Sequence, residues 1–199
     1  CGHGLLAHIL LILDNGSDHA LAIDARIPGN ARVLSQSLIE TWPRLENRIH
    51  YRQMRIQDVT ISSSDLVVSA HACGSLTDLV IDRAVEAGSR VAVLPCCHNL
   101  KTGSTGSLTN WMDGPLAIDT VRALGLASKG YVISTHKIPE TITPKNRLLM
   151  GHPIGPSGPD TSPEDGKGDG PHNKAHKGVQ DPPGEFFSKK RRQQPAAKA

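Results

Sequence analysis

Three short segments carry residues able to do chemistry together. Gly2-His3-Gly4-Leu5-Leu6-Ala7 opens an apolar run, and Asp24 follows Gly4 by twenty residues at the end of another. Glycines let a backbone turn tightly and approach a ligand closely, and a helix N-terminus behind them carries partial positive charge. A carboxylate at a strand end accepts ribose hydroxyls. The pairing predicts a nucleotide-like cofactor held by Gly2, Gly4 and Asp24. It does not choose which one, because Ala7 also fits the third position of the dinucleotide fingerprint. Gln57-Asp58 follows a further apolar segment, and Asp58 is placed to reach an adenine amine. His71-Ala72-Cys73-Gly74 and Pro95-Cys96-Cys97-His98 set two imidazoles and three thiols directly after apolar runs.

Three roles compete for His71, Cys73, Cys96 and Cys97. The thiols can form a pocket wall, as small polarizable groups packed beside a cofactor. Cys96 or Cys97 can act as a nucleophile toward a pyrimidine, with His71 or His98 lowering the thiol pKa. The group can also hold zinc, since its ligand types suit that ion. Against zinc, no Cys-x-x-Cys spacing is present. Adjacent residues of an extended segment point opposite ways, so Cys96 and Cys97 are poorly placed to share one ion. No metal centre is expected on that ground. As a general base, His71 is the best placed.

These residues need elements to position them. Leu5–Leu13 is apolar on nearly every face and reads as a buried helix. Ala20–Ile23 is a short buried strand ending at Asp24. Ala31–Ile39 reads as a helix, with Pro43 beyond it, and Ile49–Ile56 as a strand ending at Gln57-Asp58. Leu66–Ala70 and Val91–Leu94 are strands. Between them Ser75 and Asp78 resemble a capping box for a helix that stops at Gly88. Trp111–Leu126 is a helix, and Tyr131–His136 and Arg147–Met150 are strands joined without a crossover. The alternation predicts an α/β fold with a mostly parallel sheet and a terminal antiparallel hairpin. Ligands of such a sheet bind at the carboxyl ends of its strands. This directs Asp24, His71, Cys73 and Cys96 to one crevice.

HACGSLTDL together with PCCH resembles a group of class I methyltransferases. The group includes the tRNA 2′-O-methyltransferases of the acceptor stem and the methyltransferase-like domain of glutathione S-transferase C-terminal domain-containing proteins. Ile142-Thr143-Pro144-Lys145-Asn146-Arg147 resembles the latter branch. The resemblance covers residues 1–151. It implies a Rossmann-like sheet whose first strand is expected before Cys1. It also implies S-adenosylmethionine held by Gly2, Gly4 and Asp24, with Asp58 near the adenine. His71 and Cys73 would lie near the transferable methyl group, and RNA, tRNA first, is the implied acceptor.

The 199-residue chain is long enough for one such domain, and with only 3% aromatic residues its core must be aliphatic. A net charge of +3 does not by itself imply nucleic-acid binding. Lys145 and Arg147 are nonetheless candidate phosphate contacts. The cysteine pattern, an adjacent pair and two scattered thiols, favours a reducing cytoplasm, and no membrane span is expected. Residues 152–199 read as a disordered Gly- and Pro-rich tail ending in the basic cluster Lys189-Lys190-Arg191-Arg192. A monomeric methyltransferase is the leading expectation. An NAD-dependent oxidoreductase and a non-catalytic protein of the same fold are the alternatives.

Overall fold

The structure, a computed structural model, describes residues 1–155. Of the tail expected over 152–199, His152 and Pro153 instead end strand β6, and residues from 156 on lie outside the described residues. Six strands and four α-helices alternate: α1 Leu5–Leu13, β1 Ala20–Asp24, α2 Ala31–Thr41, β2 Ile49–Gln53, β3 Leu66–Ala70, α3 Ser75–Glu86, β4 Arg90–Leu94, α4 Gly114–Ser128, β5 Tyr131–Lys137 and β6 Arg147–Pro153. The alternation and the mixed sheet give the α/β fold expected from the sequence.

The strands form two sheets. In one, β1 and β2 pair in parallel. In the other the order is β3-β4-β6-β5, with β3 and β4 parallel and β6 antiparallel to both β4 and β5. The expected terminal hairpin is therefore present, and its second strand lies inside its first. In β1 the even residues bond to β2, which turns the backbone groups of Leu21 and Ile23 to the opposite edge. In β3 the odd residues bond to β4, which leaves those of Leu66, Val68 and Ala70 facing out. Among the described residues, no strand pairs with either edge. A parallel strand seated on both would join the two sheets.

The larger core lies where α3 and α4 cover the second sheet. Val80, Ile81 and Ala84 of α3 meet Val91 and Val93 of β4, Leu126 of α4, Tyr131 and Leu149. The Tyr131 hydroxyl donates to the carbonyls of Ala84 and Ser89, so its polar end is satisfied inside the core.

Four local expectations are corrected. Helix α1 is not buried all round: His8 and Leu11 are enclosed, whereas Leu5, Leu6 and Ile9 are 38–47% exposed and Leu13 78%. It packs only on β1, α2 and the turn at Pro43–Leu45, which cover one face. Strand β2 ends at Gln53, and Ile56–Asp58 turns into a short 3-10 helix against α3. Ser75 does not cap α3. Gly74 does so with φ 59°, and the Asp78 carboxylate accepts two bonds from Arg122 at 2.6 and 3.1 Å. A charge-assisted bidentate pair outcompetes a capping contact to a backbone N–H. Helix α4 begins at Gly114, not Trp111, because Asp113 accepts from the Leu116 N–H and fixes the start there.

Candidate functional site

The glycine turn is built by the backbone. The Gly4 N–H bonds to the Cys1 carbonyl, and Gly2 and Gly4 take φ of 53° and 77°. Those left-handed values favour glycine. Tyr51 clamps the turn by donating its hydroxyl to the His3 carbonyl at 2.9 Å. A Cβ added at Gly4 would lie 2.7 Å from the Tyr51 ring, whereas one at Gly2 would meet open space. Gly4 is therefore demanded by packing, and Gly2 leaves a bare approach to the backbone. His8, fully buried, donates from Nδ1 to the Gly4 carbonyl at 2.9 Å, and its Nε2 lies 3.2 Å from Ser35 Oγ on α2. At the other end of α1, Arg44 donates to the carbonyls of Leu11 and Ile12. Both anchors escape a reading by apolar periodicity, because each is a polar residue acting across the fold.

Asp24 meets this turn from the end of β1. Its Oδ2 accepts from the Cys1 amine at 2.7 Å and the Gly2 N–H at 2.9 Å, and its Oδ1 accepts from the Arg26 N–H. Desolvation opposes ionisation of the carboxyl. Donation by the Cys1 amine, Gly2 and Arg26 outweighs it and lowers the pKa to about 2. The carboxylate is thus fixed, ionised and partly open. Gly2, Gly4 and Asp24 come together as one unit. Asp58 does not join them: it lies on the exposed 3-10 turn after β2, lining a cavity of about 350 Å³ with Arg83 and Glu86 of α3.

The thiols converge from two loops. The His71 N–H extends the β3–β4 ladder by donating to the Leu94 carbonyl, and His71 itself adopts φ 64°. A left-handed non-glycine residue at a strand end is uncommon and turns the chain sharply. Gly74 then donates its N–H to the Cys97 carbonyl at 3.1 Å, which ties the two loops together. Cys73 Sγ lies 3.3 Å from Cys96 Sγ, which lies 3.5 Å from Cys97 Sγ, and all three lie within 4.8 Å of one another. The expected divergence of Cys96 and Cys97 is corrected. Strand β4 ends at Leu94, and the alternation of an extended chain ends with it. Burial, together with the neighbouring thiols, pushes Cys96 up to about 12. Hydrogen bonds from Cys73 and Cys96 lower the pKa of exposed Cys97, and the positive charge of Lys145 contributes.

Beside the thiols lies a polar hub that the sequence reading missed. Asp119 of α4 accepts from His98 Nε2 at 2.7 Å, Arg122 at 3.2 Å and Arg147 at 2.7 Å. The His98 side chain is 3% exposed, and its Nδ1 has no partner among the described residues. The cavity there, about 200 Å³, is lined by Pro95, His98, Asp113, Pro144 and Lys145, among others. Arg147, a candidate phosphate contact, is thus engaged internally, while Lys145 stays exposed. The spacing of Asp119 and Arg122, three residues apart on one helix face, was the available signal. Their partners lie too far along the chain to be read from it.

A family model described as a methyltransferase domain matches residues 1–102, from the glycine turn through both thiol loops. No curated protein matches the chain. Among solved structures, an rRNA methylase from Streptococcus thermophilus superposes with a TM-score of 0.50 at 12% identity. That match covers 77% of this chain and 82% of the other. A Corynebacterium glutamicum protein gives a TM-score of 0.43 at 13% identity, covering 75% and 81%. No helix among the described residues is long and apolar enough to cross a membrane.

Proposed function

The chain belongs to the methyltransferase-domain family, and from that premise we propose that it is an S-adenosylmethionine-dependent methyltransferase whose acceptor is RNA. The observation that carries the cofactor reading is the joint built by Gly2, Gly4 and Asp24. The bare Gly2 backbone and the ionised carboxylate fit a nucleoside carrying an amino-acid chain: Asp24 accepts from ribose hydroxyls, and the glycine turn admits the ligand closely. Asp58, which lines a separate cavity with Arg83 and Glu86, is left out of this cofactor site. When bound, this cofactor supplies an electrophilic methyl group on a sulfonium sulfur.

The chain's own residues do the rest. His71, left-handed at the end of β3, presents its imidazole to hold the acceptor's hydrogen. Cys73, Cys96 and Cys97 form one polarizable wall of the crevice, with Cys96 buried and the other two exposed. We prefer the wall to a nucleophile for Cys96, because its buried thiol stays protonated near neutral pH. Lys145, exposed on the β5–β6 loop beside Cys97, is the assigned phosphate contact. Catalysis is mainly alignment of acceptor and methyl group.

The test is transfer of labelled methyl from S-adenosylmethionine to pooled tRNA and rRNA by the full chain. Label in RNA that is lost with Asp24→Asn and His71→Ala is expected. Label in protein or small molecules alone would overturn the RNA acceptor. No transfer, together with NAD binding, would overturn the methyltransferase reading.

A further inference from the structure

We propose that Cys73, Cys96 and Cys97 form a three-sulfur site for one thiophilic metal ion of the zinc class, seated where the β3–α3 and β4–α4 loops meet. The inference rests on the convergence of three sulfurs from two separate segments, and it does not depend on the cofactor reading. The three Sγ atoms lie within 4.8 Å of one another, with adjacent pairs at 3.3 and 3.5 Å. A tetrahedral ion with Zn–S bonds of about 2.3 Å holds its sulfurs about 3.8 Å apart. The two adjacent pairs therefore need to open by a few tenths of an ångström, and the exposed Cys73 and Cys97 can adjust to the same separation.

The scaffold around the sulfurs is already fixed. The Gly74 N–H holds the Cys97 carbonyl, Thr77 Oγ1 donates to the Ala72 carbonyl, and Arg122 donates to the Gly74 carbonyl at 3.0 Å. These bonds lock both loops before any ion arrives, so little ordering entropy opposes binding. On binding, each thiol releases its proton to solvent, and each sulfur donates a lone pair to the ion. Three thiolates and a divalent ion leave one negative charge, which the Lys145 ammonium offsets. Three protein ligands leave a fourth position for water or another donor, the arrangement of an open rather than a closed site. A Cys73–Cys96 disulfide is the competing use of the pair. It would leave the convergence of Cys97 without a purpose.

The experiment is anaerobic titration of the reduced, metal-free full chain with cadmium, read by the ultraviolet thiolate-to-cadmium charge-transfer band. The expected result is saturation at one equivalent with the amplitude of three thiolates, and displacement by cadmium of zinc bound beforehand. Cys73→Ser, Cys96→Ser and Cys97→Ser should each lower the amplitude and weaken binding at least tenfold, while Cys1→Ser leaves the band unchanged. If the Cys96→Ser chain fails to fold, the exposed Cys97→Ser chain, checked by circular dichroism, carries the test. The absence of a band, a band that survives Cys97→Ser at full amplitude, or a Cys73–Cys96 disulfide in place of metal would overturn the site.

Discussion

Gly4→Ala is the sharpest probe of the glycine turn, because the structure separates its two costs. Gly4 has φ 77°, and holding alanine there costs about 1–2 kcal/mol. The added Cβ would also lie 2.7 Å from Tyr51 Cε1 and from its hydroxyl oxygen. Tyr51 cannot swing away freely, since its hydroxyl is bonded to the His3 carbonyl. Overpacking of this kind adds about 1–3 kcal/mol. The total expected loss is about 2–5 kcal/mol in urea unfolding. Gly2→Ala, with φ 53° and open space around its Cβ, should show only the backbone part. In a Tyr51→Leu background the cost of Gly4→Ala should fall to that of Gly2→Ala. Equal costs for the two alanines in the wild-type background would refute the reasoning. So would a Gly4→Ala cost unchanged by Tyr51→Leu.

Other outcomes follow from the same structure. Asp24 has a folded pKa of about 2, below its unfolded value of about 3.9, so its stabilisation is present above pH 4 and lost as pH falls toward 2. The difference in urea midpoint between the wild-type and Asp24→Asn chains should therefore shrink across that window. Asp119→Ala removes the acceptor shared by His98, Arg122 and Arg147, and should cost about 3 kcal/mol in urea unfolding. By hydrogen exchange, the outward amides of Val68 and Ala70 should exchange faster than those of Val91 and Val93, which bond within the sheet.

Much of this architecture was legible from the chain. Leu5–Leu13 and Leu66–Ala70 are bounded in the structure as their apolar runs predict, because punctuating residues close each run. The meeting of Asp24 with the glycine turn was legible because a lone acid ends an apolar strand twenty residues after Gly4. What escaped depends on distant partners. Asp78 reads as a cap until Arg122, 44 residues on, claims it. Asp119 carries no local signal, because His98 and Arg147 reach it from distant segments. Cys96 and Cys97 read as divergent because a strand's alternation was carried past its end at Leu94. The exposure of α1 was hidden because apolar composition reports a tendency to be covered, not whether a neighbour covers it.

The central claim is that the glycine turn and Asp24 hold S-adenosylmethionine. Isothermal titration of the full chain with S-adenosylmethionine, S-adenosylhomocysteine and NAD tests it most directly. Binding of the first two and not NAD, weakened at least tenfold by Asp24→Asn, is the predicted result. Binding of NAD instead, or of none of the three by a folded chain, would contradict it.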